Sequence, residues 1–218
     1  LKLLEVLFLT KKSVILTGGS GMYIDAVCRG IDELPDVDMN IRNQLIKQLE
    51  TEGIESLRFD LQRFDPNHYR IVDLNNAKRI LKALEVYLQT GNTYTSYLTK
   101  PQKPRNFNII KIGLDRERTE LYDRINLRVE LMLQQGLLEE AELLYKDKNL
   151  NALNTVGYKE LFDYFDKKID FQEAAGLIKR NTRRYAKRQL TWFKRDKEIR
   201  WFMPDEKNEM LKYITERI

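Results

Sequence analysis

A chain of 218 residues, a third of them charged, is long enough for one sizeable hydrophobic core, or one core plus a small inserted lobe. Cys28 is the only cysteine and His68 the only histidine, which excludes an intramolecular disulfide and a conventional structural zinc site. No apolar run approaches the roughly eighteen residues of a membrane span, and residues 1–10 are followed by two lysines rather than a small-residue cleavage site. The sequence therefore supports neither insertion nor export and fits a reducing, cytoplasmic home.

The chain begins at Leu1 without a methionine and soon runs into a strand pattern, as if a domain were entered midway. Ser13-Val14-Ile15-Leu16-Thr17 predicts a short strand, stopped by Gly18-Gly19-Ser20-Gly21 and followed by a helix over 22–29 that Gly30 closes. From Leu34-Pro35 the composition turns helical. Asp38 can cap a helix ending near Gly53, residues 54–64 form a second, and 73–90 a third with Gly91 as its stop. These helices predict a lobe of 34–103 inserted into a core of 1–33 and 104–218. Residues 99–105, with Pro101 and Pro104, lead back to a second candidate strand over 107–114. Beyond it the pattern predicts helices over 118–134, to about 145, to 165 after Val156-Gly157-Tyr158, and over 171–194. A strand at 199–202 and a helix over 204–218 complete an α/β layout with a helical insertion.

The net charge of +5 is modest, so the placement of the cations matters more than their total. In the 171–194 helix, Lys179, Arg183 and Lys187 form one i, i+4 row, and Arg180, Arg184 and Arg188 form an adjacent one. Four like-charge pairs at about 0.2–0.5 kcal/mol each oppose the helix by about 1–2 kcal/mol, so an anion is expected to compensate. That anion is either a bound phosphate or carboxylates elsewhere in the fold. Arg128 has Arg124, Ile125, Leu131 and Met132 at its i±3 and i±4 positions, so no carboxylate on its own helix neutralises it. Its guanidinium suits phosphate oxygens, with a tertiary salt bridge as the alternative. Lys78 and Arg79 also lack a carboxylate neighbour, whereas Lys82 has Glu85 and Arg42 has Asp38 within reach. The glycine turn at 18–21 is a place where backbone N–H groups can meet a phosphate, or simply a tight turn without a ligand. It matches neither GxxxxGK[ST] nor GxGxxG, and neither pattern occurs elsewhere in the chain. His68, within Asp65-Pro66-Asn67-His68, reads as part of a turn with no catalytic task.

Four segments stand in the order in which they occur in one enzyme family: Gly18-Gly19-Ser20-Gly21-Met22-Tyr23, the run from Asn76 to Val86 (NAKRILKALEV), Thr155-Val156-Gly157-Tyr158-Lys159, and the run from Thr182 to Trp192 (TRRYAKRQLTW). Over nearly its whole length the chain resembles the tRNA dimethylallyltransferase (tRNA isopentenyltransferase) family. The resemblance implies a P-loop NTPase-like α/β core with a parallel sheet and a helical, tRNA-binding insertion. It also implies transfer of a dimethylallyl group from dimethylallyl diphosphate to the exocyclic N6 of the adenosine 3′ of the anticodon. Such chemistry needs cations and Mg²⁺ for the departing diphosphate, a base for the proton, and a grip on the RNA while the adenine leaves its stack.

Position by position, the resemblance implies that Ser20 meets the target nucleotide, where the family usually has threonine. It assigns tRNA contacts to Arg42, to Lys78, Arg79, Ile80, Leu81 and Lys82, and to Asn154, Thr155, Val156, Gly157, Tyr158 and Lys159. Arg128 matches a catalytic arginine near the diphosphate channel, and Gly18, Gly19, Arg183, Lys187 and Arg188 are candidates for lining that channel. No metal ligand is assigned, because the family's P-loop lysine, Mg²⁺-binding threonine and aspartate base precede the strand ending at Thr17. The 218 residues alone are therefore expected to be inactive and to bind diphosphate poorly. Nothing in the sequence requires more than a monomer. Two other readings stay open at this point: a P-loop kinase or NTPase, which would not need a basic insertion, and a non-enzymatic RNA-binding module, for which the basic rows suffice.

Overall fold

The structure, a computed structural model, describes residues 1–36, 38–98 and 103–218. It divides into two compact units, one of Leu1–Val6 and Met22–Asn106, the other of Leu7–Gly21 and Phe107–Ile218. In chain order the first seven helices are α1 (Lys2–Phe8), α2 (Gly21–Cys28), α3 (Met39–Glu52), α4 (Ile54–Phe64), α5 (Pro66–Tyr69), α6 (Ala77–Thr90) and α7 (Tyr94–Tyr97).

The first unit is built on α3, α4 and α6, whose apolar faces bury Leu45, Leu57, Leu61, Ile80, Ala83 and Leu84 in one core. Local chemistry fixes where each helix starts and stops. Asp38 Oδ1 accepts from the Asn40 and Ile41 N–H groups at 2.8 and 3.4 Å, and Gly53, at φ 79°, turns the chain from α3 into α4. Asp65, only 2% exposed, accepts from the His68 N–H and from both the N–H and the hydroxyl of Thr95, which ties α5 to α7. α6 starts at Ala77 rather than 73. The Asn76 side chain takes the Arg79 N–H at 3.3 Å, while Asp73 is occupied by the Asn75 N–H in the preceding turn. Of the expected 99–105 connection, residues 99–102 lie outside the described residues. Arg105 donates to the Val27 and Ala26 carbonyls at 2.7 and 2.8 Å, closing the C-terminal end of α2.

The second unit carries β1 (Ile112–Leu114), α8 (Arg118–Gln134), α9 (Leu137–Leu144), α10 (Tyr158–Phe165), α11 (Phe171–Phe193), β2 (Arg200–Phe202) and α12 (Lys207–Thr215). β1 and β2 pair in parallel, with Ile112 opposite Arg200 and Leu114 opposite Phe202, as an α/β fold with a parallel sheet requires. Glu117 and Asp170 cap α8 and α11, and Val129, Ala141, Leu161, Phe162, Ala174 and Ile178 form the core that α8, α9, α10 and α11 share.

The strands depart from expectation. Residues 13–17 join no sheet: among the described residues the ladder holds β1 and β2 alone, and Ile15 and Leu16 are 91% and 56% exposed. A β-branched run becomes a strand only where a neighbour supplies the ladder. For the same reason the 107–114 run is paired over Ile112–Leu114 only, the length that its single partner β2 offers. α1 was not expected, because a seven-residue helix leaves little periodicity to read.

Candidate functional site

In the second unit α11 lies against α8 on one flank and α10 on the other, and its side chains sort by direction. Ala174 and Ile178 point into the core. On the α8 flank, Lys179 Nζ pairs with Glu130 Oε1 at 2.7 Å. Beside it Arg183 Nη1 donates to Asn126 Oδ1 at 2.6 Å, its guanidinium 5.8 Å from the Tyr122 ring centre. On the α10 flank, Asn181 Nδ2 donates to Glu160 Oε1 at 2.7 Å. Arg180, Arg184, Lys187 and Arg188 are exposed, and at about 3.6 residues per turn they share one outward face. Among the described residues none of these four makes an ion pair or a side-chain hydrogen bond, and Arg188 rests over the Tyr185 ring at 5.6 Å.

The two rows seen in the sequence are thus rotated apart. Lys179 is neutralised by a carboxylate. Arg183 has only neutral partners among the described residues. Lys187 leaves its own row to join Arg180, Arg184 and Arg188 in facing solvent.

Two other expected segments reach the same helix. Gln189 Nε2 donates to the Gly19 carbonyl at 2.9 Å, and a Cβ at Gly21 would stand 2.2 Å from Cδ1 of the Trp192 indole, so the glycine turn lies on the last turns of α11. Ser20 and Gly18 are exposed at that turn. From the other side, Asn154, Thr155, Val156 and Lys159 are exposed around Gly157, whose φ of 108° lies in the region that favours glycine. Glu160, 5% exposed, accepts the Gly157 N–H through Oε2 at 2.8 Å while its Oε1 holds Asn181. The Tyr158 hydroxyl donates to the Glu140 carboxylate, which raises the pKa of the phenol.

Asn154 and Lys159 also line an open hollow of about 340 Å³ with Lys148, Asp163, Asp166 and Lys168. There Asp166 is held well below the usual carboxylate range by Lys148, then by Tyr145 and Lys168. Lys148 and Lys168 are therefore neutralised, and Lys159 has no acidic partner among the described residues.

Arg128 is not brought to this face. It is exposed and without an ion pair among the described residues, but it lies two positions along α8 from both Asn126 and Glu130, roughly 200° around the helix from the side that meets α11.

In the first unit the local reading of Arg42 needs correction. Its guanidinium takes Glu85 in a two-point bond at 2.5 and 2.9 Å, not Asp38, whose carboxylate is committed to capping α3. Glu85 raises the Arg42 pKa, and it is correspondingly not the partner expected for Lys82. Lys78 and Arg79 are exposed on the first turn of α6, Lys82 and Leu81 are half-buried, and Ile80 is fully buried in the core with no side chain to offer a ligand. Glu160 and Asn181 were not picked out from the sequence. The Gly157-x-x-Glu160 spacing, a helix-start pattern in which the acid reaches back to the first N–H, is the signal that could have found Glu160.

The IPP transferase family model matches residues 1–196 of the chain. The chain belongs to this family. It is 54% identical over 211 residues to a protein named tRNA dimethylallyltransferase 1 from Phocaeicola vulgatus, covering 97% of this chain and 70% of that one. The protein of the same name from Bacteroides fragilis is 51% identical over 218 residues, covering 100% of this chain and 72% of the relative. Among solved structures, the full-length tRNA isopentenylpyrophosphate transferase of Bacillus halodurans superposes with a TM-score of 0.56 at 35% identity, covering 89% of this chain and 63% of that one. The chain therefore spans roughly two thirds to seven tenths of the IPP transferases it matches. Among the described residues no three His, Cys, Asp or Glu side chains are grouped to hold a metal ion. No helix among them is long and apolar enough to cross a membrane.

Proposed function

We propose that this IPP transferase acts on tRNA as a cytoplasmic monomer, moving a dimethylallyl group from dimethylallyl diphosphate to N6 of the adenosine 3′ of the anticodon. The observation that carries the RNA half of this reading is the outward face of α11, where Arg180, Arg184, Lys187 and Arg188 stand exposed without a carboxylate among the described residues. Four like charges on one helix face are held together at a cost unless an anion meets them, and a nucleic-acid backbone supplies phosphates. The glycine turn with Ser20 and the 154–159 segment flank that same helix, so three of the four family segments converge on it. Lys78 and Arg79, exposed on α6, offer a second cationic contact in the other unit. In the transfer itself the amine nitrogen forms a bond to the allylic carbon as the carbon–oxygen bond to diphosphate breaks and the amine proton leaves. The residues of α11 and its flanking segments serve to bind and orient the RNA.

The affinity of an anticodon stem-loop RNA, measured against salt, tests the RNA face. Replacing Arg184 and Arg188 together by alanine is expected to weaken binding by roughly ten- to a hundred-fold and to reduce the log–log salt slope by about two. Unchanged affinity and slope would remove the α11 face from the reading. For the transfer half, Arg128→Ala in the intact enzyme is expected to cut turnover far more than RNA affinity. Equal losses would favour a binding module without catalysis.

A further inference from the structure

We infer that Glu160 and Asn181 are positioning residues, a buried clamp that locks the 154–159 segment onto α11 so that this segment and the cationic face grip one RNA together. The inference rests on the RNA reading above. Glu160 is 5% exposed and its two oxygens serve two different elements, Oε2 the Gly157 N–H at 2.8 Å and Oε1 the Asn181 amide at 2.7 Å. The first bond satisfies one of the orphan N–H groups at the start of α10, which any helix cap would do. The second bond is not needed for capping. It joins the loop to the helix at a position between Arg180 and Thr182, one turn before Arg184 and Tyr185.

The choice of partner has a consequence for the charge of α11. A buried carboxylate beside a helix rich in arginine would normally recruit a guanidinium. Here it is met by a neutral amide, so Arg180 and Arg184 stay exposed and unpaired among the described residues. Gly157, at φ 108° and ψ −69°, is held in a conformation that sets the angle at which the chain carrying Thr155 and Val156 enters α10, on whose first turn Lys159 stands. The clamp therefore does two things at once: it orients the loop, and it keeps the acid that orients the loop from consuming a cation of the face.

A charge exchange within the pair tests this in the 218-residue chain. Asn181→Asp places two carboxylates at hydrogen-bond distance and breaks the clamp. Adding Glu160→Gln returns a matched pair, with the new carboxamide oxygen on the Gly157 N–H and its NH₂ on the new carboxylate. Asn181→Asp is expected to weaken anticodon stem-loop RNA binding roughly ten-fold and to speed amide exchange at Gly157. The double variant is expected to recover both, to within about two-fold of the original affinity. Wild-type affinity in Asn181→Asp, in a protein whose Arg184→Ala variant still binds poorly, overturns the clamp and leaves the RNA reading standing. A double variant that regains its thermal midpoint but not its affinity also overturns it, since a purely structural pair would behave that way. If the unmodified chain shows no salt-dependent RNA binding, the RNA reading falls and takes this inference with it. Unchanged exchange at Gly157 in Asn181→Asp defeats the clamp alone.

Discussion

In the bundle of α3, α4 and α6 the buried acid Glu85 takes up an arginine, whereas in the layer of α8, α10 and α11 the buried acid Glu160 takes up an amide and a backbone N–H. The two carboxylates are alike in burial, 2% and 5% exposed. The difference lies in what remains outside. Arg42 is used up inside its own unit, while Arg180, Arg184, Lys187 and Arg188 are exposed and unpaired among the described residues. A cation paired within the fold reports on stability, and one left unpaired reports on binding.

That contrast can be pressed with unfolding measurements in urea. Arg42→Ala strands a carboxylate whose side chain is 3% exposed, and is expected to destabilise by about 3–5 kcal/mol. Glu85→Ala leaves Arg42, itself 37% exposed, able to reach water, so the loss should be smaller, about 1–3 kcal/mol. Arg184→Ala should have the opposite sign. It relieves three like-charge contacts, with Arg180, Lys187 and Arg188, and is expected to raise stability by up to about 1.5 kcal/mol while weakening RNA binding. Loss of stability in Arg184→Ala comparable with that of Glu85→Ala would erase the distinction between the two helices.

The smallest effect at neutral pH concerns His68. It is 8% exposed, its Nδ1 has no hydrogen-bond partner among the described residues, and its ring lies 4.8 Å from that of Tyr94. Burial lowers its pKa from the ordinary 6.5; Asp65 pulls the other way and Arg79 adds to the lowering. The unfolded chain therefore binds this proton more readily than the folded one, so the contribution is fully present above about 6.5 and is lost as the pH falls through the lowered folded value. His68→Phe is expected to match the original at pH 7.5 and to flatten the acid side of the stability profile. An unchanged acid limb would mean that other groups set it.

Much of the helical architecture was legible because its signals are local. Asp38, Gly53 and Gly91 punctuate the bundle where their backbone chemistry requires, and the helices over 54–64 and 118–134 occur with those bounds. Strands were less legible, since 13–17 has the composition of one but no ladder neighbour among the described residues. The helical start at 73 failed because two cap-competent residues, Asp73 and Asn76, compete, and only the hydrogen bonds decide between them. At the candidate site, spacing revealed that α11 carries more positive charge than it can balance. How the helix is rotated could not be read from spacing, because α8 and α10 set it. Likewise Arg42 and Glu85 are too far apart in sequence for any neighbour rule to join them. The resemblance named four segments, and the meeting of three of them at α11 is a tertiary fact.

The close approach of the glycine turn to Trp192 has an evolutionary consequence. Gly21 opens α2, where alanine would be the better helix former by about 1 kcal/mol, yet the nearest indole atoms stand 2.2–2.6 Å from where its methyl would sit. An indole is rigid and cannot bend aside as a lysine tail would. Positions 21 and 192 are therefore expected to covary: a side chain at the first requires the indole at the second to shift or be replaced.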